Sequence, residues 1–257
     1  MQSLKDKTVL ITGASSGIGE ACAQIFAEQG AHLILCARRT EKLTTLSQTL
    51  RQQYKINVYP ITLDIRHANE VKKCIKQLPE NWQTIDILIN NAGLAAGMDK
   101  LYEGDIEDWE QMIDTNIKGL LYISRAVIPL MVARNSGHVI NIGSISGHEV
   151  YAGGAVYCAT KFAVNAINKA LKLDLHGTPI RVSSIDPGMI ETEFSLVRFK
   201  HDANKAKSIY QGFTPLAAMD IADAVYYCAS RPAHVNIQEM LVLPTAQSAT
   251  GHIARKN

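Results

Sequence analysis

The sequence predicts an α/β fold: a single domain whose seven-stranded parallel sheet carries helices on both faces. Three observations carry that prediction. Apolar runs of strand length alternate with longer amphipathic stretches along the whole chain, which is the pattern of repeated βαβ units. The first run opens through a glycine-rich turn straight into a helix, Thr12-Gly13-Ala14-Ser15-Ser16-Gly17-Ile18-Gly19. The chain has 257 residues, and at about 150 residues per domain a second core would be cramped. No linker, repeat or composition shift marks a boundary, so residues 1–257 are expected to form one domain.

Taken in order, strands are expected over Thr8–Thr12, His32–Cys36, Asn57–Leu63, Ile85–Asn90, Gly137–Ile142, Ile180–Ile185 and Glu239–Leu243. Each is a short apolar run. The helices between them are Gly17–Gln29, Glu41–Gln53, His67–Leu78, Ile106–Asn135, Ala155–Leu175 and Ile221–Ala229. Asp105 precedes Ile106-Glu107-Asp108, where its carboxylate can accept from the orphan amides of a first helical turn. The polar stretch 191–212, with Arg198, Lys200, Asp202, Lys205 and Lys207, reads as a mobile substrate lid.

The charges, 26 Lys plus Arg against 24 Asp plus Glu, leave +2. They are scattered, so no basic tract offers a nucleic-acid footprint. The greasiest region, Gly119 to Arg134, contains Ser124, Arg125 and Pro129, so a membrane-spanning helix is expected to be excluded. The apolar run ending at Thr12 is too brief for a secretory signal. Five widely spaced cysteines without a Cys-x-x-Cys pair suggest reduced thiols and a cytoplasmic protein. The eight histidines form no pair or cluster in sequence, so no metal is expected.

The glycine turn is built for an anion. Glycine removes the Cβ atoms that would block a tight turn and a close pyrophosphate, and a helix N-terminus adds amides and partial positive charge. Gly13, Ser15, Ser16, Gly17, Ile18 and Gly19 are therefore candidate cofactor contacts. An acidic residue about 20 positions on normally takes the ribose hydroxyls of NAD. Here the second strand ends Cys36-Ala37-Arg38-Arg39. With no carboxylate to repel a 2′-phosphate and two guanidiniums to bind one, NADP is favoured, Arg38 more than Arg39. The alternative is that the pair merely starts a solvated helix. Asp64, before Ile65, reads equally as an adenine ligand or as an ordinary turn aspartate. Asn91, Ala92 and Gly93 follow the fourth strand, in the crevice where such sheets bind ligands.

Tyr157 and Lys161 lie four apart on a predicted helix and share a face. By spacing alone the pair is weak, since roughly 0.6 such pairs arise by chance in a chain with this tyrosine content. Its chemistry is better. Lowering a phenol from about 10 to about 7 takes about 4 kcal/mol, and an ammonium about 4 Å away at an effective dielectric near 20 supplies about that much. Ser144, just past the fifth strand, emerges at the same sheet edge as the glycine turn. Asn116, in Asp114-Thr115-Asn116-Ile117-Lys118-Gly119, is a poor mid-helix residue. It reads equally as a helix-bending group that holds a relay water and as a simple interhelical hydrogen bond.

Together these motifs resemble the short-chain dehydrogenase/reductase family: Thr-Gly-x-x-x-Gly-x-Gly, Asn-Asn-Ala-Gly, Ser and Tyr-x-x-x-Lys occur in order, and the likeness covers nearly the whole chain. The resemblance implies a Rossmann-type domain. It implies Tyr157 as proton donor or acceptor, Ser144 orienting the substrate oxygen, Lys161 lowering the tyrosine pKa and binding ribose, and Asn116 completing a proton relay. It also implies nicotinamide contacts from Pro187, Gly188, Ile190 and Thr192. Tyr151-Ala152-Gly153-Gly154, Asp174-Leu175-His176-Gly177-Thr178, Val197-Arg198-Phe199-Lys200 and Pro232–Ile237 resemble the NADP-dependent 3-hydroxy acid dehydrogenase branch, which acts on serine, L-allo-threonine and related short acids. Gly147-His148-Glu149-Val150 departs from that branch's small or aromatic residues. Arg198 and Lys200 are candidate partners for a substrate carboxylate, with a solvated surface role as the alternative. The family likeness further implies a homodimer or homotetramer through Ile106–Asn135 and Ala155–Leu175. Rival readings are a reductase of a 3-ketoacyl thioester or bulkier ketone, and a non-catalytic NADP-binding regulator. The regulator would be expected to lack Ser144, Tyr157 or Lys161.

Overall fold

Valine, leucine and isoleucine dominate the central strands because a parallel sheet is covered on both faces. Every residue of β1 (Thr8–Thr12), β4 (Ile87–Asn90) and β5 (His138–Ile142) is buried. In β2 (His32–Ala37) and β6 (Arg181–Pro187) only the first residue is partly exposed. The edge strands β3 (Val58–Thr62) and β7 (Glu239–Val242) meet solvent on part of their surface. The computed structural model describes residues 2–256 and joins these seven strands in the order β3-β2-β1-β4-β5-β6-β7, all parallel. Leu10 of β1 lies between Ile34 of β2 and Leu88 of β4.

Helices α1 (Gly17–Glu28), α2 (Thr40–Tyr54) and α9 (Ala218–Ala229) cover one face and bury Cys22, Phe26, Leu43, Leu50 and Val225 against the sheet. On the other face, α3 (Ala68–Lys76) and α5 (Leu120–Ala133) bury Val71, Ile75, Ile123, Val127 and Met131. A third, smaller cluster of Leu94, Ala95, Ala96, Met112 and Tyr157 forms at the carboxyl ends of the strands. The chain leaves β1 towards β2 and β3, then returns to place β4 on the other side of β1. The loops after β1 and β4 therefore diverge, which opens a crevice where such sheets take their ligands.

All seven predicted strands are present, with ends shifted by at most two residues. Four features differ from the sequence expectation. The helix expected over Ile106–Asn135 is broken into α4 (Ile106–Ile113), a π turn (Asp114–Gly119) and α5, ending at Ala133. Ile106–Ala133 is also long and apolar enough by composition to cross a membrane, so Ser124, Arg125 and Pro129 do not exclude a span as the sequence reading held. Part of its apolar surface packs inward, Met112 in the third cluster and Leu120, Ile123, Val127 and Met131 elsewhere in the interior, while Ile106, Leu121 and Val132 are exposed. The 191–212 stretch is not plain loop but holds α7 (Phe194–Arg198) and α8 (Ala203–Ser208), the latter capped by Asp202 through the amides of Asn204 and Lys205. Near the C-terminus, β8 (Gln247–Ala249) and β9 (His252–Ile253) form an antiparallel pair that no strand-length apolar run announces. The predicted Asp105 cap is present, its Oδ1 accepting from Glu107 N at 2.9 Å.

Candidate active site

The glycine turn is held from below by the loop after β4. Thr12 Oγ1 accepts from the amides of Asn91 and Ala92, both at 3.0 Å, and Asn91 Nδ2 donates to Thr12 O at 2.8 Å. Space at the crossing is minimal: a Cβ on Gly19 would come within 2.4 Å of Gly13 O. Gly17 adopts φ +56, a left-handed conformation that glycine takes without the steric penalty of a side chain. Ser16 is the N-cap of α1, but its side chain makes no capping bond. The orphan amides of the first turn are thus left to a ligand.

Arg39 folds back over this turn. Its Nε donates to Ser15 Oγ at 3.1 Å, and Nη2 donates to Ser16 Oγ at 2.5 Å and Ser15 O at 3.3 Å. Arg38, favoured in the sequence reading, points outward with half its side chain exposed and Nη1 3.9 Å from Asp64 Oδ2. Asp64 fills the turn role: Oδ1 accepts from Arg66 N at 3.0 Å, and the carboxylate pairs with the Arg66 guanidinium. Ile65 is buried, and the close approach of Gly119 to its side chain fits the π turn beside the crevice. Free amides, a guanidinium on the turn and no carboxylate at the end of β2 make a donor set that fits a dinucleotide with an extra ribose phosphate.

Helix α6 (Ala155–Asp174) turns a buried stripe of Tyr157, Lys161, Val164, Asn165 and Asn168 towards the sheet. The predicted pair lies on that stripe because helical neighbours four apart share a face. Lys161 Nζ donates to Ile142 O at 2.9 Å, at the end of β5. Ser144, two residues further, accepts from Ser146 N at 3.1 Å through Oγ and lies 3.5 Å from Pro187 O. Asn116 sits in the π turn and clasps the loop after β4: Oδ1 accepts from Leu94 N at 2.9 Å, while Nδ2 donates to Leu94 O at 2.8 Å and Thr160 Oγ1 at 3.0 Å. A Cβ on Gly93 would lie 3.2 Å from Asn116 Oδ1 and 3.8 Å from Lys161 Nζ, so these groups border one small space.

Burial governs the protonation of this group. It pushes the Tyr157 phenol up to about 12, with Arg198 and the Ser144 hydroxyl opposing. It pulls the Lys161 ammonium down to about 8, with Asp186 opposing. The expected depression of the phenol by Lys161 is therefore not what the chain alone displays. Lys161 Nζ is 5.9 Å from the Tyr157 ring centroid, and the nearer cation is the Arg198 guanidinium at 4.9 Å. Desolvation outweighs both because the neutral phenol loses little on leaving water and the phenolate loses much.

The loop after β6 closes the other side. Gly188 N donates to Val242 O at 2.8 Å and Met189 N to Gln247 Oε1 at 2.7 Å. Ile190 bridges to Leu216, and Thr192 packs within 3.4 Å of a Cβ position on Gly17. Glu193 then meets Arg39 at 2.7 Å and Lys42 at 2.6 Å, and these hydrogen bonds, Lys42 first, hold its carboxyl down at about 2. Lys200, a candidate carboxylate partner, is already paired with Asp105 and Asp108 at 3.2 and 3.1 Å.

Two groupings escape the sequence reading. Asn90 Nδ2 donates to Ser124 Oγ and Asn141 Oδ1, Asn141 Nδ2 to Asn168 Oδ1, and Asn168 Nδ2 to Gln238 O, forming a buried amide chain below the site. The polar letters inside β4 and β5 are its only trace. His148 Nε2 lies 2.9 Å from Asp186 Oδ2, and His148 Nδ1 lies 3.8 Å from Glu239 Oε1. Three distant segments thus place potential ligand atoms of His148, Asp186 and Glu239 within 4.8 Å of one another. Lys169 beside Glu239 at 3.5 Å and Ser184 Oγ on Asp186 at 2.6 Å complete this network.

A glycine turn, a serine and a Tyr-x-x-x-Lys pair gathered at one switch point of a parallel sheet define a nucleotide-dependent dehydrogenase site. The short chain dehydrogenase model matches residues 7–202, and the chain belongs to that family. Among curated proteins it is similar to the NADP-dependent 3-hydroxy acid dehydrogenase YdfG of Escherichia coli, with 48% identity over 244 residues, 95% of this chain and 97% of that protein. It is also 42% identical over 257 residues to the NADP-dependent 3-hydroxy acid dehydrogenase of Schizosaccharomyces pombe, covering 100% of this chain and 99% of that one. Among solved structures, the closed form of serine dehydrogenase complexed with NADP+ superposes with a TM-score of 0.90 at 46% identity, covering 97% of this chain and 100% of that one. Serine dehydrogenase from Escherichia coli gives 0.81 at 42% identity, covering 94% and 99%.

The buried ammonium has a measurable signature. Between about pH 8 and its ordinary 10.5, Lys161 binds fewer protons folded than unfolded, so it makes stability rise with pH across that window. Denaturant midpoints of the wild type are expected to gain on those of Lys161→Met from pH 8 to pH 10. Parallel profiles would mean that the ammonium is not desolvated.

Proposed function

We propose that this chain is an NADP-dependent oxidoreductase that moves a hydride between the nicotinamide and the C3 carbinol of a short 3-hydroxy acid such as serine or L-allo-threonine. The observation that carries the reading is the meeting of Ser144, Tyr157 and Lys161 at the crevice, on the same sheet edge as the Arg39-covered glycine turn. The NADP-dependent relatives support the cofactor and the 3-hydroxy acid class.

Gly13, Ser15, Ser16, Gly17, Ile18 and Gly19 would hold the pyrophosphate, with Arg38 and Arg39 at the ribose phosphate. Asp64 and Ile65 would border the adenine, and Asn91, Ala92 and Gly93 would line the middle of the crevice. Pro187, Gly188, Ile190 and Thr192 would border the nicotinamide. When bound, NADP supplies the hydride acceptor or donor. In oxidation, Tyr157 as phenolate takes the substrate hydroxyl proton while Ser144 donates to the developing carbonyl oxygen. Arg198 opposes the burial that raises the phenol, and Lys161 would add to that beside an oxidised nicotinamide. Asn116 ties the loop after β4 to Thr160, the neighbour of Lys161, and would take part in a proton relay to solvent. Reduction runs the same proton back from Tyr157.

Residues 191–212 would act as a lid, latched in the closed position by the Glu193 contacts to Arg39 and Lys42 and the Lys200 contacts to Asp105 and Asp108. The likeness to a closed, NADP+-bound structure supports that state. Exposed Leu121 and Val132 on α5 and Phe162 and Leu173 on α6 support a homodimer or homotetramer. Free Cys22, Cys36, Cys74, Cys158 and Cys228 suit the reducing cytoplasm.

Tyr157→Phe is expected to bind NADP normally and lose hydride transfer by at least about 1,000-fold, read by nicotinamide absorbance with serine, L-allo-threonine and acyl thioesters as alternative substrates. Near-native turnover in that folded variant would remove the acid/base role. For the cofactor, Arg39→Gln should raise the KM for NADP by about 100-fold and leave that for NAD nearly unchanged. An equal effect on both nucleotides, or a larger selectivity loss in Arg38→Gln, would move the phosphate contact elsewhere. Sedimentation should give the mass of two or four chains; a single-chain mass would refute the oligomer.

A further inference from the structure

Arg198 is the last residue of α7, and its carbonyl accepts from Gly97 N at 3.0 Å, which ties the lid to the loop after β4. That tie brings the guanidinium inward. Its central carbon is 4.9 Å from the Tyr157 ring centroid, 5.5 Å from that of Tyr151 and 5.6 Å from that of Phe194. Nη2 donates to the Tyr151 hydroxyl. Nε is buried and has no hydrogen-bond partner.

The neighbouring cations already have acidic partners. Lys200 is paired with Asp105 and Asp108, Arg39 and Lys42 share Glu193, and Arg66 is paired with Asp64. Among the described residues, Arg198 belongs to no ion pair. The titratable groups it faces, Tyr151, Tyr157, Cys158 and Tyr210, are uncharged near neutral pH. A guanidinium always carries its charge and offers five donors in a planar fork. A partly buried guanidinium with one buried N–H unpartnered and no anion beside it is suited to take one up.

We propose that Arg198, positioned by Tyr151, is the carboxylate-binding residue of the substrate site and selects hydroxy acids over uncharged alcohols. The inference rests on the 3-hydroxy acid reading above. Such a substrate carries its carboxylate one carbon from the reacting carbinol, so a group that engages Tyr157 and Ser144 brings its anion under the aromatic cluster that surrounds Arg198. The free Nε–H then finds its acceptor, and the carboxylate finds a planar partner that matches its geometry. Closing the lid and completing the substrate site become the same event, because the selecting cation rides on α7.

The test compares serine with serine methyl ester, both as alcohols offered to the NADP-loaded enzyme. In Arg198→Gln, the ratio of kcat/KM for the acid to that for the ester should fall about 100-fold, mainly through the KM of the acid. Arg198→Lys should recover part of that ratio, and Tyr151→Phe should lower it less than Arg198→Gln. Circular dichroism and NADP binding establish that each variant is folded. An unchanged ratio in Arg198→Gln, or equal losses on acid and ester, would overturn the inference and leave the 3-hydroxy acid reading standing. A wild type that oxidises the ester but not the acid would instead overturn that reading, and the carboxylate role with it.

Discussion

Tyr157 and Lys161 are kept out of water on one face of α6, and the free energy of that desolvation shapes everything packed around them. An ammonium in such a place must find oxygen, and the carbonyl of Ile142 at the end of β5 provides it. Asp186 adds a negative field from β6, which opposes the fall in the Lys161 pKa. That carboxylate is itself buried, which raises its pKa, and Ser184 and His148 oppose the rise. Glycine at 143 is required in turn, since a Cβ there would come within 1.8 Å of Asp186 Oδ1. One buried cation thus bears on residue types in β6, at Gly143 and in the loop between Ser144 and Tyr151.

The same logic explains the polar residues inside an otherwise aliphatic sheet. Asn90, Asn141 and Asn168 would each be costly alone, because a buried amide without partners loses its hydration and gains nothing. Linked end to end, they lock β4, β5 and α6 in a fixed relation directly beneath the site. A network of this kind gives geometry more than net stability. Ser144, Asn91 and Tyr157 inherit their positions from it.

Much of this was legible in the letters, for identifiable reasons. β1, β2, β4 and β5 read clearly because a doubly covered strand is a nearly unbroken apolar run. The glycine turn and the Tyr157/Lys161 pair read clearly because their geometry is local. The π turn did not, since the apolar stripe of Ile106–Ala133 continues through it and only Asn116 hints at the break. Helices α7 and α8, of five and six residues, are too short to show a period. Arg38 and Arg39 are neighbours with identical chemistry, and only the fold shows that the second bends back over Ser15 and Ser16. The grouping of His148, Asp186 and Glu239 draws on three segments far apart in sequence, beyond the reach of any spacing rule.

The widened turn at Asp114–Gly119 joins two pieces that serve different masters. Before it, Trp109 and Met112 wall the chamber around Tyr157; after it, Ile123, Val127 and Met131 belong to the sheet interior. Each residue of an ordinary helix advances the azimuth by about 100°. Gaining or losing a single position here would therefore swing one set of side chains around the axis relative to the other. What is constrained in this segment is the count of residues, a quantity that substitution at any one position leaves untouched.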